Sequence, residues 1–120
     1  MPSVKLSELF YVEESMIHGK GLFAKCIINK GDYMGTYRGP LCYDMESGGP
    51  HVLWVEDDDG VWIGRDGRNI LRYMNHHATP CAAFDGFDLY ALRDIHQGNE
   101  ITIHYGDEFV EAIGDEYPEK

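Results

Sequence analysis

The chain has 120 residues, 43% of them hydrophobic, which suits one domain with a compact core and a thin stability margin. Acidic residues outnumber basic ones 21 to 10, a formal net charge of -11, which argues against direct binding to a nucleic-acid backbone and favours a cationic partner. Cys26, Cys42 and Cys81 are odd in number and show no Cys-x-x-Cys spacing, so they read as reduced, mostly buried thiols of a reducing compartment rather than a disulfide framework or a thiolate zinc site. Residues 1–10 lack the basic start and apolar run of a signal peptide, and no apolar stretch approaches the roughly 20 residues that span a bilayer.

Fourteen glycines punctuate short apolar runs, a pattern of many short strands and few helices. Residues 10–12 form a first strand, followed by a turn at His18-Gly19-Lys20-Gly21. Residues 22–24 resume extended structure, 29–32 turn, and 33–37 make a third strand stopped by Gly39-Pro40. Residues 52–56 and 61–64 pair as a hairpin around Asp57-Asp58-Asp59-Gly60, whose Asp-Gly is a turn signal. Residues 68–74 carry the leucine, isoleucine and arginine of a short helix of about two turns. Residues 82–84 and 89–91 pair around Gly86, and 101–103 form a final strand. The acidic tail, 107–120, begins with a short helix over 108–113 and then frays.

Several residues have both a bland and a chemical reading. Gly19 and Gly21 around Lys20 make a tight turn, or let the backbone approach a ligand without Cβ interference. Asn75 offers donors and acceptors suited to a zwitterionic amino-acid group. His76 lies near His77, Cys81, His96 and His104 without a recognised zinc spacing, so a buried, hydrogen-bonded imidazole is the plain alternative. Tyr105 closes an apolar strand before Gly106, where a core aromatic with a bonded hydroxyl is the ordinary expectation. Trp54, Trp62, Tyr33 and Tyr90 read as packing residues.

Four motifs stand in a recognisable order. Gly19-Lys20-Gly21-Leu22-Phe23-Ala24 comes first, then Tyr37-Arg38-Gly39, then Arg72-Tyr73-Met74-Asn75-His76 followed by Pro80. The stretch 89–106 ends the series, with Ile95-His96-Gln97-Gly98 and the closing Tyr105-Gly106. Over residues 10–106 the chain resembles the SET-domain family of protein lysine methyltransferases. It departs from the family at His77-Ala78-Thr79-Pro80-Cys81, where Ser-Cys-x-Pro-Asn is usual, and at Pro40, where a glutamate commonly stands. The cysteine-rich zinc segments that flank many members are absent, so the resemblance is to a minimal stand-alone SET domain of viral or bacterial type.

The resemblance implies a mainly β fold of small sheets with a knot-like threaded C-terminal segment. It implies one SET domain over 1–120, with its core at 10–106 and a tail at 107–120. The implied activity is transfer of a methyl group from S-adenosylmethionine to a lysine amine of a basic protein or peptide, such as a histone tail, leaving S-adenosylhomocysteine. The implied cofactor contacts are the backbone of Lys20, Gly21 and Leu22 along the methionine part, with Arg72, Tyr73, Asn75, His76 and Tyr105 around the pocket. No metal is implied. Tyr37, Phe84 and Ile103 would wall the lysine channel, and Phe84, lacking a hydroxyl that would hold water, leans toward multiple methylation.

Tyr105 would be catalytic, and chemistry gives the reason. The attacking amine must be neutral although a free lysine has a pKa near ~10.4, and an apolar channel beside a sulfonium disfavours its ammonium form. A phenol with a pKa near ~10 is a poor general base at pH 7, so its role is orientation and electrostatic stabilisation. The expected partner is a basic protein or peptide, without direct nucleic-acid or membrane contact. A homodimer is compatible with this reading, as is an intracellular setting (cytoplasm if bacterial, host nucleus if viral). The competing readings are a SET-like module that only holds a basic peptide, a metal-dependent hydrolase using His76, His77 and Cys81, and a purely structural β domain.

Overall fold

Short strands, most with one or two buried residues each, assemble three small sheets. The computed structural model describes residues 5–43 and 51–105. A four-residue helix α1 (Leu6–Leu9) leads into β1 (Phe10–Glu14), which pairs antiparallel with β2 (Lys20–Ala24). The strands β3 (Tyr33–Thr36), β4 (Leu41–Cys42), β5 (Val52–Glu56) and β6 (Trp62–Asp66) follow. A single 3₁₀ turn at Ile70–Tyr73 precedes β7 (Asn75–His76), β8 (Ala82–Asp85), β9 (Asp88–Ala91) and β10 (Glu100–Ile103). The sheets are ordered β1-β2-β10-β7, β3-β9-β8 and β4-β6-β5.

The placement of β10 creates the site. This strand sits inside the first sheet, antiparallel to β2 with Ile101 opposite Leu22, and parallel to β7 with Thr102 opposite Asn75 and Ile103 opposite His76. Side chains alternate along it. Ile101 points into the core with Phe10, Leu22, Leu71 and Met74, all nearly or fully buried. Each such side chain contributes roughly 1.5–3 kcal/mol by leaving water. Glu100 and Thr102 share the opposite face with Asn75.

The fold is mainly β, in small sheets, as the motif order implies. The two hairpins form where the turn residues place them, and Asp57 Oδ1 caps the first by accepting the Asp59 and Val61 N–H groups at 2.9 Å. Several expected boundaries move. The helix over 68–74 shrinks to one 3₁₀ turn because Asn69 and Met74 on its flanks are extended, which delivers Asn75 and His76 to the edge of β10. The first strand runs on to Glu14, and Lys20 and Gly21 belong to β2 rather than to the turn. Tyr37 lies beyond β3. Helix α1, β4 and β7 have four, two and two residues, too few to show a period in sequence. Of the three free cysteines only Cys81 is buried, whereas Cys26 and Cys42 are half-buried, because the latter two lie on a loop and on a short strand away from the core. The helix expected over 108–113 lies outside the described residues.

Candidate active site

The loop joining β1 to β2 spans 15–19 and is closed by the Ser15 N–H donating to the Gly19 carbonyl at 2.7 Å. Gly19 has φ +46, a left-handed conformation that favours glycine, and a side chain there would meet open space. His18, Gly19 and Lys20 are exposed. Gly21 has an ordinary φ, and a Cβ there would sit 2.3 Å from Glu100 Oε2, the end of a side chain that would have to shift. Leu22 is a core residue, flanked on both sides by Val12 and Ile101, whereas Gly19 and Lys20 are exposed.

β7 carries the next two expected residues, and their side chains go to opposite faces. The Asn75 Nδ2 group lies 3.0 Å from the His18 carbonyl, 3.2 Å from the Lys20 carbonyl and 2.8 Å from Glu100 Oε2. Its amide N–H groups therefore hold the 15–19 loop and the start of β2. His76 is 1% exposed and packs edge-on against His104 and Tyr105, at ring separations of 4.6 and 5.5 Å. Its Nδ1 accepts the Tyr105 backbone N–H at 3.0 Å, so that nitrogen carries no proton in this arrangement. The Tyr105 hydroxyl donates to the Met74 carbonyl at 2.5 Å, and the residue remains 40% exposed. His76 and Met74, at two ends of one short segment, thus fix both the backbone and the hydroxyl of Tyr105.

Arg72 folds back on its own turn. Its guanidinium lies 4.5 Å over the Tyr73 ring and donates to the carbonyls of Arg68 and Asn69 at 3.1 and 2.8 Å and to the Tyr73 hydroxyl at 2.9 Å. Tyr37, Phe84 and Ile103 belong to one packed cluster, in which Tyr37 meets Phe84 edge-on at 5.6 Å. The Tyr37 hydroxyl donates to the His51 carbonyl, and Gly67 leaves room for the phenol, since a Cβ there would lie 2.3 Å from the hydroxyl oxygen.

Burial, reinforced by the Asp66 carboxylate and partly offset by Arg72, pushes the Tyr37 phenol up to about 12. The sign follows from linkage. An unfolded chain loses this proton near ~10 while the native state keeps it to about 12, so stability falls as pH climbs through that window. Ultraviolet titration of the phenols should show one late-ionising tyrosine, absent in Tyr37→Phe. A Tyr37→Phe profile identical to the wild type would remove this assignment.

A cavity of about 370 Å³ opens on the Glu100–Thr102 face of β10, lined by Ile17, His77, Cys81 and Arg93 among others. None of the residues expected to hold the cofactor lines it. Among the described residues no group of three His, Cys, Asp or Glu is arranged to hold a metal ion. His77 Nδ1 is itself engaged, accepting the Thr79 N–H at 3.0 Å. Sequence reasoning assigned no role to Ser15, or to Met74 and Glu100 within the quoted motifs. No spacing rule marks them, because what makes them part of the site is the insertion of β10 between β2 and β7.

The loop and the Tyr105 cluster thus lie at the two ends of a single stretch of ordered motifs, and a comparison with known families covers the same stretch. The SET domain model matches residues 19–106, well over half of the chain. The chain belongs to the SET domain family, whose members are generally protein lysine methyltransferases.

Proposed function

We propose that this protein binds S-adenosylmethionine and methylates a lysine amine of a basic protein or peptide, a histone-like tail being the natural class. The observation that carries this reading is the setting of Tyr105, a half-exposed phenol fixed by His76 through its backbone and by Met74 through its hydroxyl. The residues present fit the cofactor. Gly19 and Lys20 are exposed, Gly19 borders open space, and Lys20 supplies positive charge for a carboxylate. When bound, S-adenosylmethionine supplies an electrophilic methyl group on a sulfonium.

The side chains do the positioning. Tyr105 commits its proton to Met74, which leaves its oxygen as an acceptor for an amine N–H. It orients the neutral amine rather than deprotonating it. Tyr37, Phe84 and Ile103 provide an apolar wall that disfavours the ammonium form of an entering lysine. Alignment of this kind is worth a large fraction of a methyl-transfer barrier, because reacting atoms must be held in line at roughly 3–3.5 Å.

The direct test is calorimetric titration of chelator-treated protein with S-adenosylmethionine, followed by transfer of labelled methyl groups to an array of lysine peptides. Heat of binding together with label on basic peptides is expected. No binding, or binding lost on chelation, would refute the reading, and cofactor binding without transfer would favour the inactive peptide-binding module. The net charge of -11 adds a second expectation. The peptide KM should rise on the order of tenfold between low salt and ~0.5 M, since the Debye length shrinks from about 10 Å at 0.1 M toward a few ångströms. A KM indifferent to salt means that surface charge does not steer the substrate.

A further inference from the structure

Glu100, the first residue of β10, lies inside the last motif stretch and has no part in the Tyr105 chemistry. Ser15 Oγ donates to its carboxylate, 2.8 Å from each oxygen, and Asn75 Nδ2 donates to Oε2 at 2.8 Å. Both partners are also the ones that shape the loop. Ser15 Oγ accepts the Ile17 N–H at 2.9 Å, and the same Asn75 amide group reaches the carbonyls of His18 and Lys20. On a third side the carboxylate fills the space a Gly21 side chain would take, with Oε2 2.3 Å and Cδ 2.9 Å from an ideal Cβ. Its partners here, the Ser15 hydroxyl and the Asn75 amide, are hydrogen-bond donors rather than cations.

The chemistry of the partners explains why an acid stands here. The Ser15 oxygen accepts from Ile17 and its O–H is directed at the carboxylate, while the Asn75 amino group can only donate. A carboxylate is acceptor-only, which matches two converging donors. Charge-assisted bonds of this type are roughly twice as strong as neutral ones.

We propose that Glu100 is the positioning residue of the 15–20 loop, holding through Ser15 and Asn75 the backbone of Gly19 and Lys20 in the shape that receives the amino-acid end of the cofactor. The functional half of this inference rests on the methyltransferase reading, while the structural half stands on the loop alone. Two variants and two measurements separate them. Glu100→Ala removes both acceptors, and Glu100→Gln keeps one oxygen able to take Asn75 and Ser15.

In the ligand-free protein, amide hydrogen exchange at Ser15 and Ile17 should quicken at least about tenfold in Glu100→Ala and less in Glu100→Gln, while amides of 10–12 in β1 keep their protection. Calorimetric titration with S-adenosylmethionine should show Kd raised on the order of 10- to 100-fold in Glu100→Ala and only several-fold in Glu100→Gln, the size expected for losing hydrogen bonds to a charged group. At saturating cofactor, kcat should stay within about threefold, since Tyr105 is held from the other end of β10. Unchanged exchange at Ser15 and Ile17 overturns the loop role. So does uniform quickening through β1, which would make Glu100 a general stabiliser. Quickened exchange with unaltered Kd, or a loss confined to kcat, overturns its role toward the cofactor. A wild-type protein that does not bind S-adenosylmethionine defeats the methyltransferase reading and the cofactor half with it, and the exchange measurement then decides the loop half separately.

Discussion

Replacing Tyr105 with phenylalanine should reduce methyl transfer by a factor on the order of a hundred to a thousand, the usual cost of removing one preorganised polar group at a transition state, roughly 3 to 4 kcal/mol. The variant loses one hydroxyl and its bond to the Met74 carbonyl. The ring stays packed against His76, and the backbone N–H still donates to His76 Nδ1. Stability should therefore fall by only about 1 kcal/mol, the net worth of an ordinary hydrogen bond. Cofactor affinity should change little, because Gly19 and Lys20 are untouched. Measuring kcat, cofactor Kd and Tm on one preparation distinguishes the roles: near-normal kcat with a lowered Tm would make Tyr105 a structural residue and take the main support from the proposed activity.

The largest stability loss is expected at Gly39, two residues beyond Tyr37. Gly39 has φ +155, and a Cβ on it would lie 1.7 Å from the Asp66 carbonyl oxygen and 2.8 Å from its carbon. Two backbone bonds bracket the contact, Asp66 N–H to the Pro40 carbonyl at 3.0 Å and Arg68 N–H to the Arg38 carbonyl at 2.8 Å. Backbone cannot swing aside as a flexible side chain would, so Gly39→Ala must break this crossing and strain its own dihedral. Two lost bonds and the strain together come to about 3–5 kcal/mol, a large share of the total stability of a small domain. Tm should fall by more than about 10 °C. Gly98→Ala is the control. Gly98 also has a positive φ, +86, but open space beside it, so its substitution costs only the conformational strain, about 1–2 kcal/mol. Equal losses at the two glycines would show that strain, not the clash with Asp66, governs Gly39.

Turns and hairpins were legible in the sequence because their signals are local. Asp57 with Gly60 specified one reversal and Gly86 another, through side-chain caps and permitted dihedrals that involve only near neighbours. The buried faces of β2, β9 and β10 were legible from their apolar residues, and Tyr105, Asn75 and His76 were legible as an ordered set. Their division of labour was not. The Asn75 amino group ties down the loop, and the Leu22 side chain lies in the core between two strands, neither of which is written in the motif. Residues 68–74 have the composition of a helix, and the sheet overrides that preference by pulling Asn75 and His76 into extended pairing with β10. The sequence by itself determined the mainly β character, the hairpins and the family motifs, since each depends on residues close together in the chain. Only the tertiary structure decided that β10 enters between β2 and β7, and with it the meeting of Glu100 with Ser15 and Gly21, and of Tyr105 with Met74 and His76. Those contacts join residues 25 to 85 positions apart, and no local preference encodes a pairing whose free energy comes from burying one strand between two others.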